Sequence, residues 1–295
     1  MPESSAQSQR NITLPYNSPT AKQVKSSWLT FPVHIMLSDP GERRDSPAVE
    51  QHVFSGEIPA GSFISTYNEL EVSSPEFCFL QMSGRLTVVG LIELGYELCG
   101  SYSLPIAGDD YIPERGFYKR PPLTSVKKLS AFTSGMPGFS GHKNAVRALR
   151  YIVDCSASPM ETKLSIFLTL PYKLGGFGFP KPEMNARIEP TKTARRVFSK
   201  VFYECDLYWP DHNLAVEYNS NLFHADSTQI TEDSKKRNAL ESMGIKVITV
   251  TTQQLYDKEE LEKVAILIAR RSGKRLVYKN SGFENAHQEL RDQLL

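Results

Sequence analysis

Two carboxylates, Asp206 and Glu217, stand in a stretch, 203–224, in which apolar and polar residues alternate. The alternation predicts two strands, and the sequence Pro-Asp-His-Asn at 210–213 predicts the turn of an antiparallel hairpin between them. Such a hairpin brings the two carboxylates close together. Because both have apolar strand neighbours and an unpaired buried carboxylate is costly, each needs a cation partner. That partner is either a metal ion or a basic side chain, and Arg237 is the candidate for a purely structural ion pair.

The elements that position this hairpin follow one another in the order helix, three strands, helix, strand, helix. In chain order, the sequence predicts a helix opened by Ser158, a strand over 185–189, the two hairpin strands, a helix over 231–243, a strand over 245–250 and a helix over 257–270. The strand over 245–250 is largely β-branched and follows a crossover helix, which predicts an interior strand covered on both faces. The predicted fold class is therefore α/β.

Length and composition predict two domains in an ordinary globular protein. The chain has 295 residues, of which 40% are hydrophobic and 23% are charged. No apolar run is long enough for a bilayer, and the first residues lack the pattern of a secretory signal, so we expect a cytoplasmic location without membrane contact. The predicted parts are a flexible arm over 1–25, a mixed α+β N-terminal domain with a basic connecting segment over 26–141, a domain that carries the two carboxylates over 142–272, and a polar tail over 273–295.

Charge is distributed very unevenly along the chain, although the net charge is only +1. Residues 39–110 include twelve acidic and three basic residues, whereas residues 115–150 include eight basic residues and no acidic one. Within this basic segment, Lys143, Arg147 and Arg150 fall on one face of a predicted helix. Either the acidic stretch covers the basic segment within the molecule, or the basic segment binds phosphates.

Three sequence segments carry a resemblance to a known family: SPMETKL at 158–164, CDLYWPDHNLAVEYN at 205–219 and DSKKRNALESMGIKVITVT at 233–251. They place Glu161 on the first helix and the two hairpin carboxylates on the second and third strands. This pattern resembles the PD-(D/E)XK, or restriction-endonuclease-like, superfamily, and more narrowly the small endonuclease-like domain related to very-short-patch repair endonuclease. The resemblance covers about residues 156–250. It implies an αβββαβ core that hydrolyses phosphodiester bonds of DNA, in defence, repair or mobile-element biology.

The resemblance also implies roles for individual residues. Asp206 and Glu217 would hold Mg²⁺ or Mn²⁺, which polarises a phosphate and lowers the pKa of an attacking water. The lysine that the superfamily usually has two residues after the glutamate is replaced by Asn219. His224, after the third strand, and Lys235, on the next helix, are the candidates to supply the missing function.

Each of these residues also has an ordinary structural interpretation. Glu161 follows Ser158 at the spacing of a capping box, so we expect it to cap its helix and to take a secondary catalytic role. His224 is also interpretable as a surface histidine, and Lys235 as part of a solvated helix face.

Basic residues around the hairpin are candidates for nucleic-acid contacts that do not read sequence, with DNA favoured over RNA. Ordinary solvated charge is the alternative. The candidates are Lys192, Arg195, Arg196, Lys200, Arg237, Lys143 and Arg147.

Three functions are compatible with these features. The first is a metal-dependent nuclease. The second is a catalytically inactive, antitoxin-like regulator that keeps the nuclease fold and binds nucleic acid. The third is an interaction protein that uses its acidic N-terminal part. Carboxylates of Asp206 and Glu217 that converge on one cation would favour catalysis, whereas an Arg or Lys between them would favour the inactive form.

Overall fold

The computed structural model describes residues 33–54, 56–66, 70–105, 113–192, 194–196, 200–219, 227–276 and 281–295. The predicted arm over 1–25 and the candidate His224 lie outside these residues.

The described residues form ten strands and nine helices. The strands are β1 (Val33–Leu37), β2 (Val49–Val53), β3 (Phe63–Ser65), β4 (Glu71–Ser73), β5 (Tyr102–Ser103), β6 (Tyr118–Lys119), β7 (Glu183–Ile188), β8 (Tyr203–Trp209), β9 (Leu214–Asn219) and β10 (Lys246–Thr251). The helices are α1 (Pro75–Met82), α2 (Val88–Cys99), α3 (Val126–Ser134), α4 (His142–Leu149), α5 (Pro159–Thr169), α6 (Ser227–Ser242), α7 (Thr252–Tyr256), α8 (Lys258–Ser272) and α9 (Ser281–Leu294).

A four-stranded mixed sheet dominates the C-terminal half, with the strand order β10-β9-β8-β7. β7, β8 and β9 are antiparallel neighbours, and β10 runs parallel to β9 after the crossover through α6. A short turn at Pro210–His212 joins β8 to β9, and Asn213 adopts a left-handed conformation there with φ of 44°. The predicted α/β class and the order helix, three strands, helix, strand, helix are therefore confirmed.

The prediction that the strand over 245–250 lies inside the sheet is wrong, because β10 is an edge strand. Its apolar residues are nevertheless used on both faces. Ile248 and Val250 belong to the larger apolar cluster, and Val247 packs on a smaller cluster that includes Ala239 and Leu240 of α6. A largely apolar strand sequence indicates that both faces of the strand are buried. Helices can cover both faces of an edge strand as well as those of a central strand.

The N-terminal half consists of three two-stranded sheets and the helices α1 to α4. It shares a core with the C-terminal half, since one cluster of buried apolar side chains runs from Phe79 to Leu294 across the boundary predicted at 141/142. Two buried hydrogen bonds join the halves. Tyr96 Oη lies 2.9 Å from Ser165 Oγ, and Tyr102 Oη lies 2.9 Å from Thr162 Oγ1. The helix α5 is thereby held against α2.

The segment predicted as a polar tail over 273–295 contains the helix α9, which packs into this core. Its buried residues are Phe283, His287, Leu290, Arg291 and Leu294, spaced along one face of the helix. His287 Nδ1 donates to the carbonyl oxygen of Gly175 at 2.6 Å. The segment contains few apolar residues among many polar ones, so its overall composition is polar. The apolar residues nevertheless lie on one narrow face of the helix, which composition does not show. Within the described part of the chain, no helix combines the length and the apolar character needed to cross a bilayer.

Candidate active site

The β8–β9 ladder stops at the level of the two predicted carboxylates. Its register pairs Trp209 with Leu214 at one end and Leu207 with Val216 at the other. The next level would pair Asp206 with Glu217, but Asp206 Oδ2 instead accepts a hydrogen bond from the backbone N–H of Tyr218 at 2.7 Å.

The β7–β8 ladder is interrupted at the same level, where Asn185 lies opposite Asp206. Asn185 has φ of 48°, a left-handed conformation that asparagine tolerates better than most residues. Its Nδ2 donates to the carbonyl oxygen of Cys155 at 2.9 Å and to Glu161 Oε2 at 2.7 Å. Asparagine is a poor strand former, so its position within a predicted strand is the signal in the sequence that could have identified this interruption.

Glu161 has the capping role that the sequence predicts. Ser158 Oγ accepts from the backbone N–H of Glu161 at 3.2 Å and donates to Glu161 Oε1 at 2.9 Å. Glu161 Oε2 accepts from the backbone N–H of Ala157 at 3.0 Å as well as from Asn185. The carboxylate is buried and its oxygens are occupied by donors from Ala157, Ser158 and Asn185, while Ser158 Oγ accepts from a backbone N–H of the first helical turn.

The lysine that reaches the carboxylates is Lys236 and not Lys235. Lys236 Nζ lies 2.5 Å from Glu217 Oε2, with 27% and 15% of the two side chains exposed. Lys235 is 61% exposed and pairs with Glu232 at 2.9 Å on the outer side of α6. Successive residues of a helix point about 100° apart, so only one of the two adjacent lysines can face the sheet.

Burial and the charges of neighbouring carboxylates raise the carboxyl pKa values at this site. The pKa of Asp206 is well above its usual range, first because the group is buried and then because of the charges of Glu217 and Glu161. Burial also raises the pKa of Glu217, although Lys236 opposes the shift. For Lys236, burial alone would lower the pKa, but the charge and hydrogen bond of Glu217 and the charge of Asp206 raise it overall. Lys236 is therefore a firmly protonated cation at neutral pH.

Carboxylate oxygens, such as those of Asp206 and Glu217, are the ligand type that a hard divalent cation prefers. Glu217 Oε1 is buried without a hydrogen-bond partner among the described residues, although a hydrogen bond from the Cys205 thiol to this carboxyl group opposes the rise of its pKa. A buried carboxylate oxygen without a donor can be satisfied by a cation. Glu161 does not complete a set of three ligands. Within the described residues, the one group of three possible ligands whose atoms lie within 4.8 Å of one another is His34, Glu50 and His52.

The group of His34, Glu50 and His52 is a hydrogen-bonded cluster that does not need a metal. His52 Nδ1 lies 2.8 Å from Arg85 Nη2, and because a guanidinium can only donate, this nitrogen is the acceptor. His52 Nε2 then carries the proton and donates to His34 Nδ1 at 2.8 Å. A metal-bound histidine normally donates its second N–H to an acceptor, which is the opposite of the contact with Arg85.

The remaining candidates near the hairpin have other partners. Arg237 donates to the hydroxyl of Thr249 on β10, so the described structure does not contain the predicted ion pair between Arg237 and the strand carboxylates. Asn219 ends β9 and pairs in register with Thr251. It lies two positions beyond Glu217, where the superfamily pattern has lysine.

Two of the predicted nucleic-acid contacts around residues 190–200 are already neutralised. Arg195 pairs with Glu189 at 3.0 Å, and Lys200 pairs with Glu232 at 3.4 Å. Lys192 is exposed. The side chain of Arg196 lies outside the described part of the structure.

Replacing Asn185 by alanine is expected to lower the free energy of unfolding by about 1–3 kcal/mol, because a buried acceptor on Glu161 loses its donor. Asn185→Gly removes the same hydrogen bonds without strain at positive φ, so it is expected to be the milder change by about 1 kcal/mol. Urea denaturation of the three proteins measures both differences. Equal stability of Asn185→Ala and the wild type would show that the interruption of β7 does not depend on this side chain.

The candidate site therefore combines groups from five elements around the interrupted end of the β8 ladders. They are Glu161 of α5, Asn185 of β7, Asp206 of β8, Glu217 of β9 and Lys236 of α6. Asp206, Glu217 and the cap Glu161 are foreseeable from the sequence, whereas Asn185 and Lys236 are identified by their contacts. No protein-family model, curated protein or solved structure matches this chain at a significant level.

Proposed function

We propose that this protein is a cytoplasmic, divalent-metal-dependent nuclease of the PD-(D/E)XK type that hydrolyses phosphodiester bonds of DNA, in defence, repair or mobile-element biology. The observation that carries the proposal is the partly buried carboxylate pair Asp206 and Glu217 beside Lys236, at a break in the sheet. Burial and the charge of Glu217 raise the pKa of Asp206, and carboxyl groups with raised pKa values concentrate at functional sites.

Asp206 and Glu217 would hold the cation, which when bound would polarise the scissile phosphate and lower the pKa of a water molecule. The backbone N–H of Tyr218 holds the Asp206 carboxylate in place. Asn185 and Ser158 hold Glu161 behind it, so that Glu161 acts on Asp206 through its charge. We assign Glu161 and Asn185 positioning roles.

Lys236 would stabilise the negative charge that develops on the phosphate. Its raised pKa keeps it protonated, so it cannot accept the proton of the attacking water at neutral pH. The lysine absent at Asn219 is thus replaced by one from α6.

The proposal is tested by incubating the full chain with supercoiled plasmid in Mg²⁺, in Mn²⁺ and in EDTA. We expect nicked or linear product with either metal and none in EDTA. The double variant Asp206→Ala/Glu217→Ala is expected to lose this activity while retaining the circular dichroism spectrum of the wild type. Undiminished cleavage by the double variant would contradict the proposed site.

A second candidate function is favoured by one observation, the ion pair of Lys236 with Glu217 at 2.5 Å. A lysine can neutralise a buried carboxylate permanently, as a structural partner, and the protein would then be an inactive, antitoxin-like regulator that binds nucleic acid through the nuclease fold. In that case we expect DNA binding that weakens steeply with salt and no cleavage with any metal.

A further inference from the structure

We propose that the helices α3 and α4 form the surface that holds the sugar–phosphate backbone of duplex DNA. The inference rests on the proposed function in that it takes DNA as the substrate. We call this surface the α3–α4 cationic face and define it by Lys127, Lys128, Lys143, Arg147 and Arg150.

The cations of this face are exposed and uncompensated. All five side chains belong to exposed residues, and none lies within 4.0 Å of a carboxylate oxygen anywhere in the described structure. The helices α3 and α4 pack against each other and Arg150 follows directly after α4, so these cations lie on adjacent elements. The segment 115–150 contains no acidic residue that could offset them. A concentration of unbalanced positive charge of this kind attracts polyanions.

The acidic stretch over 39–110 does not cover this face in the described structure. Three of its carboxylates have other partners: Glu50 lies 4.0 Å from His52, Glu97 accepts from the backbone N–H of Leu104 at 2.9 Å, and Glu76 accepts from the hydroxyl of Thr124. No described carboxylate of this stretch lies within 4.0 Å of a cation of the face. Of the two interpretations that the sequence allows, an intramolecular cover and a phosphate-binding surface, these contacts favour the second.

The α3–α4 cationic face is also better suited to phosphates than the turn around residues 190–200. In that turn, Arg195 and Lys200 already form ion pairs with Glu189 and Glu232. A phosphate there would have to compete with a carboxylate, whereas on the α3–α4 face it would replace only water and counterions.

One short loop connects this face to the carboxylate site. Asp154 Oδ1 accepts from the backbone N–H of Val126, the first residue of α3, at 2.8 Å. The next residue, Cys155, accepts from Asn185 Nδ2 through its carbonyl oxygen, and Glu161 follows six residues later at the start of α5. DNA bound on α3 and α4 therefore contacts helices that are attached directly to the loop in front of the site.

The side chains on this face favour a duplex over a single strand. Single-stranded nucleic acid is usually bound by exposed aromatic rings that stack on the bases. Among the described residues of 113–150, the exposed large apolar side chains are Leu123 and Val146, and neither is aromatic. The face offers charge without a stacking platform, which matches a regular phosphate backbone.

The test measures the salt dependence of binding for the full chain in EDTA, where cleavage is prevented. The probe is a fluorescein-labelled DNA duplex of mixed sequence, followed by fluorescence anisotropy. For Lys143→Gln/Arg147→Gln we expect the slope of log Kobs against log salt to fall by about 2, since each lost phosphate contact contributes roughly 0.9. The matched control Arg270→Gln/Arg271→Gln removes two exposed cations from the end of α8 and is expected to leave the slope unchanged.

The outcomes separate this inference from the proposed function. A slope unchanged in Lys143→Gln/Arg147→Gln, or reduced equally in the control, would overturn the inference even if the protein cleaves DNA. If the slope is reduced in Lys143→Gln/Arg147→Gln but the wild type cleaves no DNA, the α3–α4 cationic face binds DNA and the proposed nuclease function is contradicted. Tighter binding of a single-stranded oligonucleotide than of the duplex would contradict the assignment to duplex DNA.

Discussion

Replacing Lys236 by alanine is expected to slow plasmid cleavage by about 10²–10⁴-fold. This is the typical contribution of one positioned catalytic group, and Lys236 is the described cation in contact with Glu217. Initial rates of plasmid conversion at saturating Mg²⁺ measure the effect. Lys236→Arg retains the charge with a different shape and is expected to recover part of the rate.

The adjacent Lys235 supplies the matched control. Lys235→Ala removes the same charge from the same helix, but its side chain pairs with Glu232 away from the carboxylates, so we expect a change of less than about threefold. If Lys235→Ala instead lowers the cleavage rate more than Lys236→Ala does, Lys235 is the catalytic lysine. Faster cleavage by Lys236→Ala, or cleavage at lower Mg²⁺, would show that the ion pair with Glu217 competes with the metal. Thermal unfolding of each variant separates these outcomes from loss of the fold.

Replacing Asp206 by asparagine is expected to abolish cleavage and at the same time to stabilise the protein at pH 7 in EDTA. The substitution removes a buried charge from beside Glu217 and Glu161, while its amide oxygen can still accept from Tyr218. We expect a gain of roughly 0.5–2 kcal/mol in the free energy of unfolding, the common range when one destabilising feature is removed. Urea denaturation of the two proteins measures this difference.

The sign of the pH dependence follows from the raised pKa of Asp206. The folded state holds this proton more tightly than the unfolded state, so the wild type loses stability as the pH rises from about 4, the ordinary carboxyl value, through the folded-state pKa. Asp206→Asn lacks this loss. The two proteins should therefore differ little below about pH 4 and increasingly above it. An asparagine variant that is less stable than the wild type at pH 7 would contradict the repulsion inferred for this site.

Metal binding should reverse this difference. Mg²⁺ that binds only the folded wild type stabilises it by about 1.4 kcal/mol when its concentration is ten times the Kd. Asp206→Asn lacks a proposed ligand, so we expect a much smaller gain. An equal gain in both proteins would mean that the metal binds elsewhere. This measurement detects the metal site independently of cleavage.

The element order and the position of the two carboxylates on neighbouring strands are predictable from the sequence. Alternation over β8 and β9 has a period of two residues, and the turn at Pro210–His212 sets the hairpin. The spacing of Ser158 and Glu161 is sufficient to predict the cap of α5. These features depend on residues close to one another in the chain, so local physical chemistry is enough to derive them.

Features that depend on contacts between residues far apart in the chain are seen in the three-dimensional structure alone. Whether Lys235 or Lys236 faces the sheet depends on the rotation of α6, and its sequence, with three cations in succession, does not define that rotation. The edge position of β10 depends on which strands pair, because burial by helices gives the same apolar pattern at an edge as in the middle. Charge compensation is equally nonlocal: Lys200 is neutralised by Glu232, while Lys143 on α4 has no carboxylate partner among the described residues. A one-dimensional pattern shows which groups are present, and only packing determines which of them meet.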